Sequence, residues 1–310
     1  MVGVTELRDR PAVTRPSGID AVYLSVALVA VSTSGPLIAA TAVPALAIAF
    51  WRNALGAAVM LPAALLTARA ELRGLDRRER LLALAAGALL ALHFGIWIPS
   101  LNYTSVASAT ALVATQPVWA ALISGARGAP VGGRVWAGIC VAVAGALLLA
   151  GVDLSISTRA LGGDVLATLG GAFAAAYMTA GGEVRRSVST TTYTTVCYAT
   201  TAVLLLAVCL VGRQSLSGYS SADWLRLLAL TAGAQLLGHS LFSRVLRTTS
   251  ATVVSMSILL EIPGAALIAA LFLGQRPPLL AIPAAVMLVI GLGLVIRASS
   301  RAVEPSLPVE

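Results

Sequence analysis

Four side chains able to do chemistry stand inside long apolar runs of a chain that has few charges: Arg52, His93, His239 and Glu261. An ionisable group in such a run is costly unless it is neutralised, paired or faces water, so each is a candidate for binding or proton relay. Glu261 lies mid-run, about 16 Å of helix from one end at the usual rise. There a carboxyl could carry a proton or hold a substrate ammonium; the structural alternative is a neutral acid hydrogen-bonded within a bundle. Arg52 lies about 12 Å in from the matching end of its own run. Its fork suits a substrate carboxylate, or it could pair with Glu261. A snorkelling arginine held near the interface is the bland reading. His93 and His239 are the two histidines of the chain. With an ordinary pKa of about 6.5 they could share in proton coupling, while burial would leave neutral rings that pack helices. No further ligands recur at metal-binding spacing around them, so neither a metal nor any other cofactor is expected.

Other polar and aromatic residues extend the candidate site. Trp97 and Tyr177 stand well inside their runs and could line a substrate cavity, more so than Trp51, Trp119 and Tyr198, for which core filling or an interfacial belt is as good a reading. Gln116 and Gln235 face a cavity or join helices. Ser32 belongs to VSTSGP at 31–36, where Pro36 removes a backbone donor and the hydroxyls can satisfy freed carbonyls, a pointer to an interrupted, substrate-facing helix. Pro44, Pro62, Pro99, Pro117 and Pro263 could kink helices in the same way.

The elements that must position these residues come in two copies. Arg80 to His93 (RLLALAAGALLALH) and Arg226 to His239 (RLLALTAGAQLLGH) match at ten of fourteen positions without a gap, at an offset of 146 residues. The same offset lays Thr33 on Thr179, Gly35 on Gly181, Pro117 on Pro263, Gly128 on Gly274 and Gly145 on Gly291. An internal repeat of this kind governs the rest of the reading. Composition adds that 58% of the residues are apolar, 11% are charged and mean hydropathy is +0.90, too little charge for the surface of a soluble protein of 310 residues. Apolar runs long enough to cross a bilayer fall near 20–42, 45–68, 81–101, 105–125, 134–151, 163–182, 188–211, 225–246, 250–273 and 279–297. The expected fold is therefore an all-α integral membrane protein, ten transmembrane helices as two five-helix repeats. Its parts are a tail at 1–19, a first repeat at 20–151, a linker at 152–162, a second repeat at 163–298 and a tail at 299–310. A cleaved signal peptide is not expected, because the polar first twenty residues run directly into the series. Cys140, Cys197 and Cys209 lie in apolar runs without CxxC spacing and read as inert core thiols.

Every cation is an arginine, which with the alanine content points to a GC-rich bacterial genome. Their placement, rather than the net charge of +8, is informative: it follows the membrane, and no basic cluster suits nucleic acid. With the amino terminus cytoplasmic, sixteen arginines fall inside and four (Arg159, Arg213, Arg226, Arg276) outside, which places both termini in the cytoplasm. An odd number of spans per copy then inverts the second copy, the plan of many secondary transporters, with the site mid-membrane between repeats.

PALAIAFWRNALGAAVMLP with its Arg52, the pair TSVASATALVATQPVWAALI and TSATVVSMSILLEIPGAALI with their mid-helix prolines, and the glycines Gly145 and Gly291 resemble the EamA family of the drug/metabolite transporter superfamily, over about 20 to 298. Many members carry Glu just after the glycine matched by Gly128 and Gly274; Ala129 and Gln275 stand there here. The resemblance implies a secondary carrier, often an exporter of amino acids, metabolites or toxic compounds.

Of the competing functions, an intramembrane enzyme finds no HExxH or GxSxG, and no Walker loop offers an ATP site. A passive facilitator, channel-like permease or scramblase of the same fold is left open. The expected protein is a non-enzymatic secondary-active transporter of the bacterial inner membrane, working by alternating access with proton coupling as an option. Its substrate residues would be Arg52, Glu261, Trp97, Tyr177, Gln116 and Ser32, with Glu261, His93 and His239 as proton-coupling candidates. Its partners would be a small-molecule substrate and the lipid bilayer, with a homodimer left open.

Overall fold

A computed structural model describes residues 16–104, 106–150, 157–273 and 280–301, and every regular element among them is a helix. Arg8, Arg10, Arg15, Gly274, Gln275 and Arg276, most of both tails and residues 152–156 of the linker lie outside the described residues. The first copy supplies α1 (Gly18–Ser32), α2 (Ser34–Ala39), α3 (Ala45–Thr67), α4 (Arg69–Gly74), α5 (Arg77–Ser100), α6 (Val106–Val113), α7 (Gln116–Ala126) and α8 (Gly133–Ala150). The second supplies α9 (Thr158–Val184), α10 (Thr190–Val211), α11 (Ser221–Leu230), a π-helical segment (Thr231–His239), α12 (Ser240–Val245), α13 (Ala251–Ile258), α14 (Glu261–Leu273) and α15 (Ala281–Arg301).

Six stretches are long and apolar enough to cross a membrane: Gly18–Ala39, Ala45–Thr67, Arg77–Ser100, Ser108–Ala126, Thr158–Val184 and Thr190–Val211. Gly133–Leu148, Ala251–Ala265 and Ile282–Ala298 are shorter apolar helices. The run through α11, the π segment and α12 carries Arg226, Gln235, His239 and Arg244, which lower its hydropathy.

Caps and prolines explain where helices start and break. Ser17 and Asp20 form a capping box on α1, and Asp76 and Glu79 form one on α5. Two breaks occur at equivalent places in the copies, between α6 and α7 before Pro117 and between α13 and α14 before Pro263. Each proline lacks the N–H that would have reached the carbonyl four residues back. A third break, at Thr33, divides α1 from α2 ahead of Pro36, whereas α9 runs unbroken through the matching Thr179.

The copies interlock. α5, α6 and α7 pack on α9, and α1 packs on the π segment, α12, α13 and α14, so the first long helix of each copy sits in the other copy's bundle. The remaining helices pair across the pseudo-twofold, α3 with α10 and α8 with α15. Small residues set the second crossing: a methyl group added at Gly138 would lie 2.7 Å from the Gly291 carbonyl oxygen, so the backbones meet almost directly. Cys197 and Cys209 are buried, but Cys140 is exposed on α8, because its side of that helix faces away from α15; it is not a core thiol.

Ion pairs among the described residues stand at helix ends: Arg127 and Arg186 with Glu183, and Arg226 with Asp223. Glu71 on the short connecting helix α4 caps α10, accepting from the Ser189 backbone N–H at 2.6 Å and from the Ser189 and Thr192 hydroxyls. Partial burial opposes its ionisation, but these donors outweigh it and hold its pKa below the ordinary carboxylate value.

Candidate functional site

A central cavity of about 650 Å³, its open mouth included, lies where the broken helices meet. Both copies line it. Arg52 enters from α3, His93, Phe94 and Trp97 from α5, Gln116 from the start of α7, Tyr177 from α9, His239 from the π segment and Glu261 from the start of α14.

The Arg52 guanidinium is buried and lies over the Phe94 ring, 4.1 Å from its centre. Its Nε donates to Gln235 Oε1 at 2.9 Å, and its Nη2 is buried with no protein partner. Glu261 is half-buried at the helix break, and its carboxyl has no hydrogen-bond partner among the described residues. The two charges border one cavity without forming an ion pair, although the sequence allowed one. A space bordered by a cation and an acid that attract each other without contact can receive a molecule with complementary groups.

His93 bridges α5 to α9, its Nδ1 lying 2.9 Å from the Gly170 carbonyl oxygen. A carbonyl only accepts, so Nδ1 carries the proton and the neutral ring keeps Nε2 as an acceptor. Gly170 makes this possible, since a Cβ there would stand 3.0 Å from that of Trp97. The His93 ring stacks on Trp97 with centres 5.7 Å apart, and the Trp97 Nε1 is buried without a partner. His239 touches Phe94, Tyr177 and Phe242, and its Nδ1 has no partner. Tyr177 contacts Ser243 through hydroxyls 3.3 Å apart, and Gln116 presents an unpartnered Oε1.

Ser32 does not line the cavity. It stands one layer behind, its hydroxyl donating to the Leu28 carbonyl at 2.8 Å and reaching the Glu261 carbonyl at 3.4 Å; Ser34, one residue past the break at Thr33, takes the lining position. Trp51 is also elsewhere, donating to the Leu216 carbonyl and packing on Trp224. Phe94, Asn53 and the role of Gln235 as partner of Arg52 were not legible as site features. One signal was present for Gln235: the repeat has Leu89 at the matching position, and a polar residue replaces it in an otherwise matching stretch.

The copies are not closed alike. In α13 every side chain from Thr252 to Ile258 is buried, packed by α7, α9 and α15. Its counterpart α6 leaves Thr110 and Leu112 half-buried and does not pack closely on α14 or α1, the matching neighbours, among the described residues. The two broken helices thus meet different neighbours: α13 packs on α7, α9 and α15, and α6 on α9 and α8.

Known proteins share this arrangement. The model of the EamA-like transporter family matches residues 16–151 and again residues 161–297, one match for each copy. The chain belongs to the EamA-like transporter family. A crystal structure of another protein matches with a TM-score of 0.77, covering 92% of this chain and 99% of that one at 18% identity, which shows a shared fold. No curated protein matches the chain. As an EamA-like chain it is a multi-pass membrane protein of transporter type, and the cavity lies between its two EamA units.

Proposed function

We propose that this EamA-like protein is a secondary-active carrier that works by alternating access, exporting amino acids, small metabolites or toxic compounds across a bacterial cytoplasmic membrane. The observation that carries the proposal is the cavity at the paired helix breaks, where Arg52 and Glu261 border a common space without forming an ion pair. In this reading the shorter helices complete ten crossings, and the odd number per copy makes the repeats inverted. With both termini in the cytoplasm, as the arginine bias supports, the start of α13 lies on the cytoplasmic side and the start of α6 on the outer side. The interlocked packing supports rocking of swapped bundles, α1 with the second copy's helices against α9 with the first copy's, around the α3–α10 and α8–α15 pairs. Glu261, His93 and His239, which all line the cavity, are the groups available for proton coupling, with Glu261 the leading one.

The test is reconstitution in liposomes, with uptake of amino acids and amphipathic cations followed with and without a pH gradient. Saturable flux that trans-substrate accelerates supports a carrier. Flux linear in concentration and indifferent to the trans side identifies a channel-like facilitator instead.

A further inference from the structure

The least expected element of the fold is the π-helical segment Thr231–His239, because the matching stretch of the first copy lies within the plain α-helix α5. The two stretches align without a gap, so no inserted residue forces the wide turn. What the wide turn achieves is visible at Gln235, which is fully buried against α3. Gly56 makes room for it, since a Cβ there would lie 3.3 Å from Gln235 Cγ, and the Tyr198 hydroxyl donates to the Gln235 carbonyl at 3.2 Å. Single π turns recur at functional sites because they re-aim side chains.

Gln235 ends a buried hydrogen-bond chain whose direction is fixed. The Ala49 carbonyl can only accept, so Asn53 turns its Nδ2 toward it at 2.9 Å. Asn53 Oδ1 then accepts from Gln235 Nε2 at 3.0 Å, which leaves Gln235 Oε1 facing Arg52 Nε at 2.9 Å. The guanidinium is therefore held at Nε and over the Phe94 ring, with Nη2 buried and without a partner among the described residues, on a side chain that lines the cavity. A neutral amide holds the cation without cancelling its charge. A carboxylate at the same place would hold it and neutralise it.

Resting on the carrier reading above, we infer that Gln235 is a positioning residue that presents the free end of Arg52 as a receptor for a carboxylate on the substrate, whose apolar body lies against Phe94, Met178 and Ile258.

The experiment uses the purified full chain and a matched pair of probes, 3-phenylpropionate and 3-phenylpropanamide, which share a body and differ in charge. Binding is read by calorimetry, with tryptophan fluorescence as a second signal because Trp97 lines the cavity. The quantity compared is the acid-to-amide affinity ratio, so a general loosening of the cavity, which weakens both probes, cancels. The wild type prefers the acid by roughly tenfold or more, the size of a hydrogen bond to a charged group. Gln235→Met, similar in length but without the acceptor, loses most of that preference, and Arg52→Gln loses it entirely. The double variant matches Arg52→Gln alone, because Gln235 acts only through Arg52. Gln235→Glu, which keeps the acceptor and guards against a misfolded methionine variant, also loses the preference by neutralising the cation. A wild type without acid preference, a Gln235→Glu variant that retains it, or additive effects in the double variant overturns the inference. Flux of the wild-type chain in liposomes is read separately: saturable flux alongside any of those binding results overturns this inference alone, whereas absence of saturable flux overturns the carrier reading itself.

Discussion

At the scale of single residues, the site is assembled where the two copies differ. Arg52 matches Tyr198 across the repeat, Glu261 matches Thr115, Trp97 matches Ser243 and Gln235 matches Leu89. The matched pair His93 and His239 also lines the cavity, but its two charged groups come from mismatched positions. Glu261→Gln keeps the shape and hydrogen-bonding size of the side chain but cannot release a proton. It is expected to abolish flux driven by a pH gradient while exchange of substrate at equal pH persists, measured in liposomes; undiminished gradient-driven flux removes Glu261 from coupling. Arg52→Lys keeps the charge and loses the planar fork, its Nε bond to Gln235 and its fit to the Phe94 face. Transport of carboxylate-bearing substrates should fall roughly tenfold or more, with neutral substrates less affected. Equal losses on both would remove the carboxylate clamp.

At the scale of elements, two joints carry separate predictions. The α8–α15 crossing depends on backbone approach, and a Cβ at Gly291 would stand 2.5 Å from the Gly138 carbonyl oxygen and 2.6 Å from the Ala142 Cβ. Gly291→Ala must push the helices apart, at a cost of about 1–3 kcal/mol, visible as a lower melting temperature in detergent. Gly293→Ala, with nothing within 4 Å of its added carbon, should leave it unchanged. The α4–α10 joint depends on ionised Glu71. Because its folded pKa is lowered, its contribution is complete above the ordinary carboxylate pKa and is lost as pH falls through the lowered folded value. Glu71→Gln should therefore lower thermal stability at neutral pH and flatten the acid limb of the stability–pH curve. An unchanged acid limb would mean that the cap contributes nothing.

For the whole molecule, the interlocked copies decide what can move. Two units that each hold the other's first helix cannot swing apart as separate repeats, so the proposed carrier would have to rock as swapped bundles. A disulfide engineered between α13 and α7, which pack closely here, should form readily and block flux reversibly. A pair placed between the matching helices α6 and α14 should cross-link only during turnover. Cross-linking of both pairs at equal rates without substrate would mean the asymmetry has no functional meaning. Inversion is checked by labelling single cysteines from one side, with residues 213–220 and the carboxyl tail expected on opposite faces.

The repeat, the helical class, the membrane setting and the breaks before Pro117 and Pro263 follow from residues read in order. Each depends on what a residue does by itself: the transfer free energy of its side chain, or the backbone donor a proline lacks. The acid and the arginine stood out in the same local way, as charges inside apolar runs. That Arg52 is held by Gln235 rather than paired with Glu261, that Ser32 backs the cavity instead of lining it, and that α6 and α13 meet different neighbours were decided by the packed helices alone. In a bilayer the lipid is as apolar as the helices, so hydropathy does not choose neighbours; close fit between small residues and satisfied polar groups does. That fit depends on how each helix is rotated and which partner, nearly two hundred residues away, it meets.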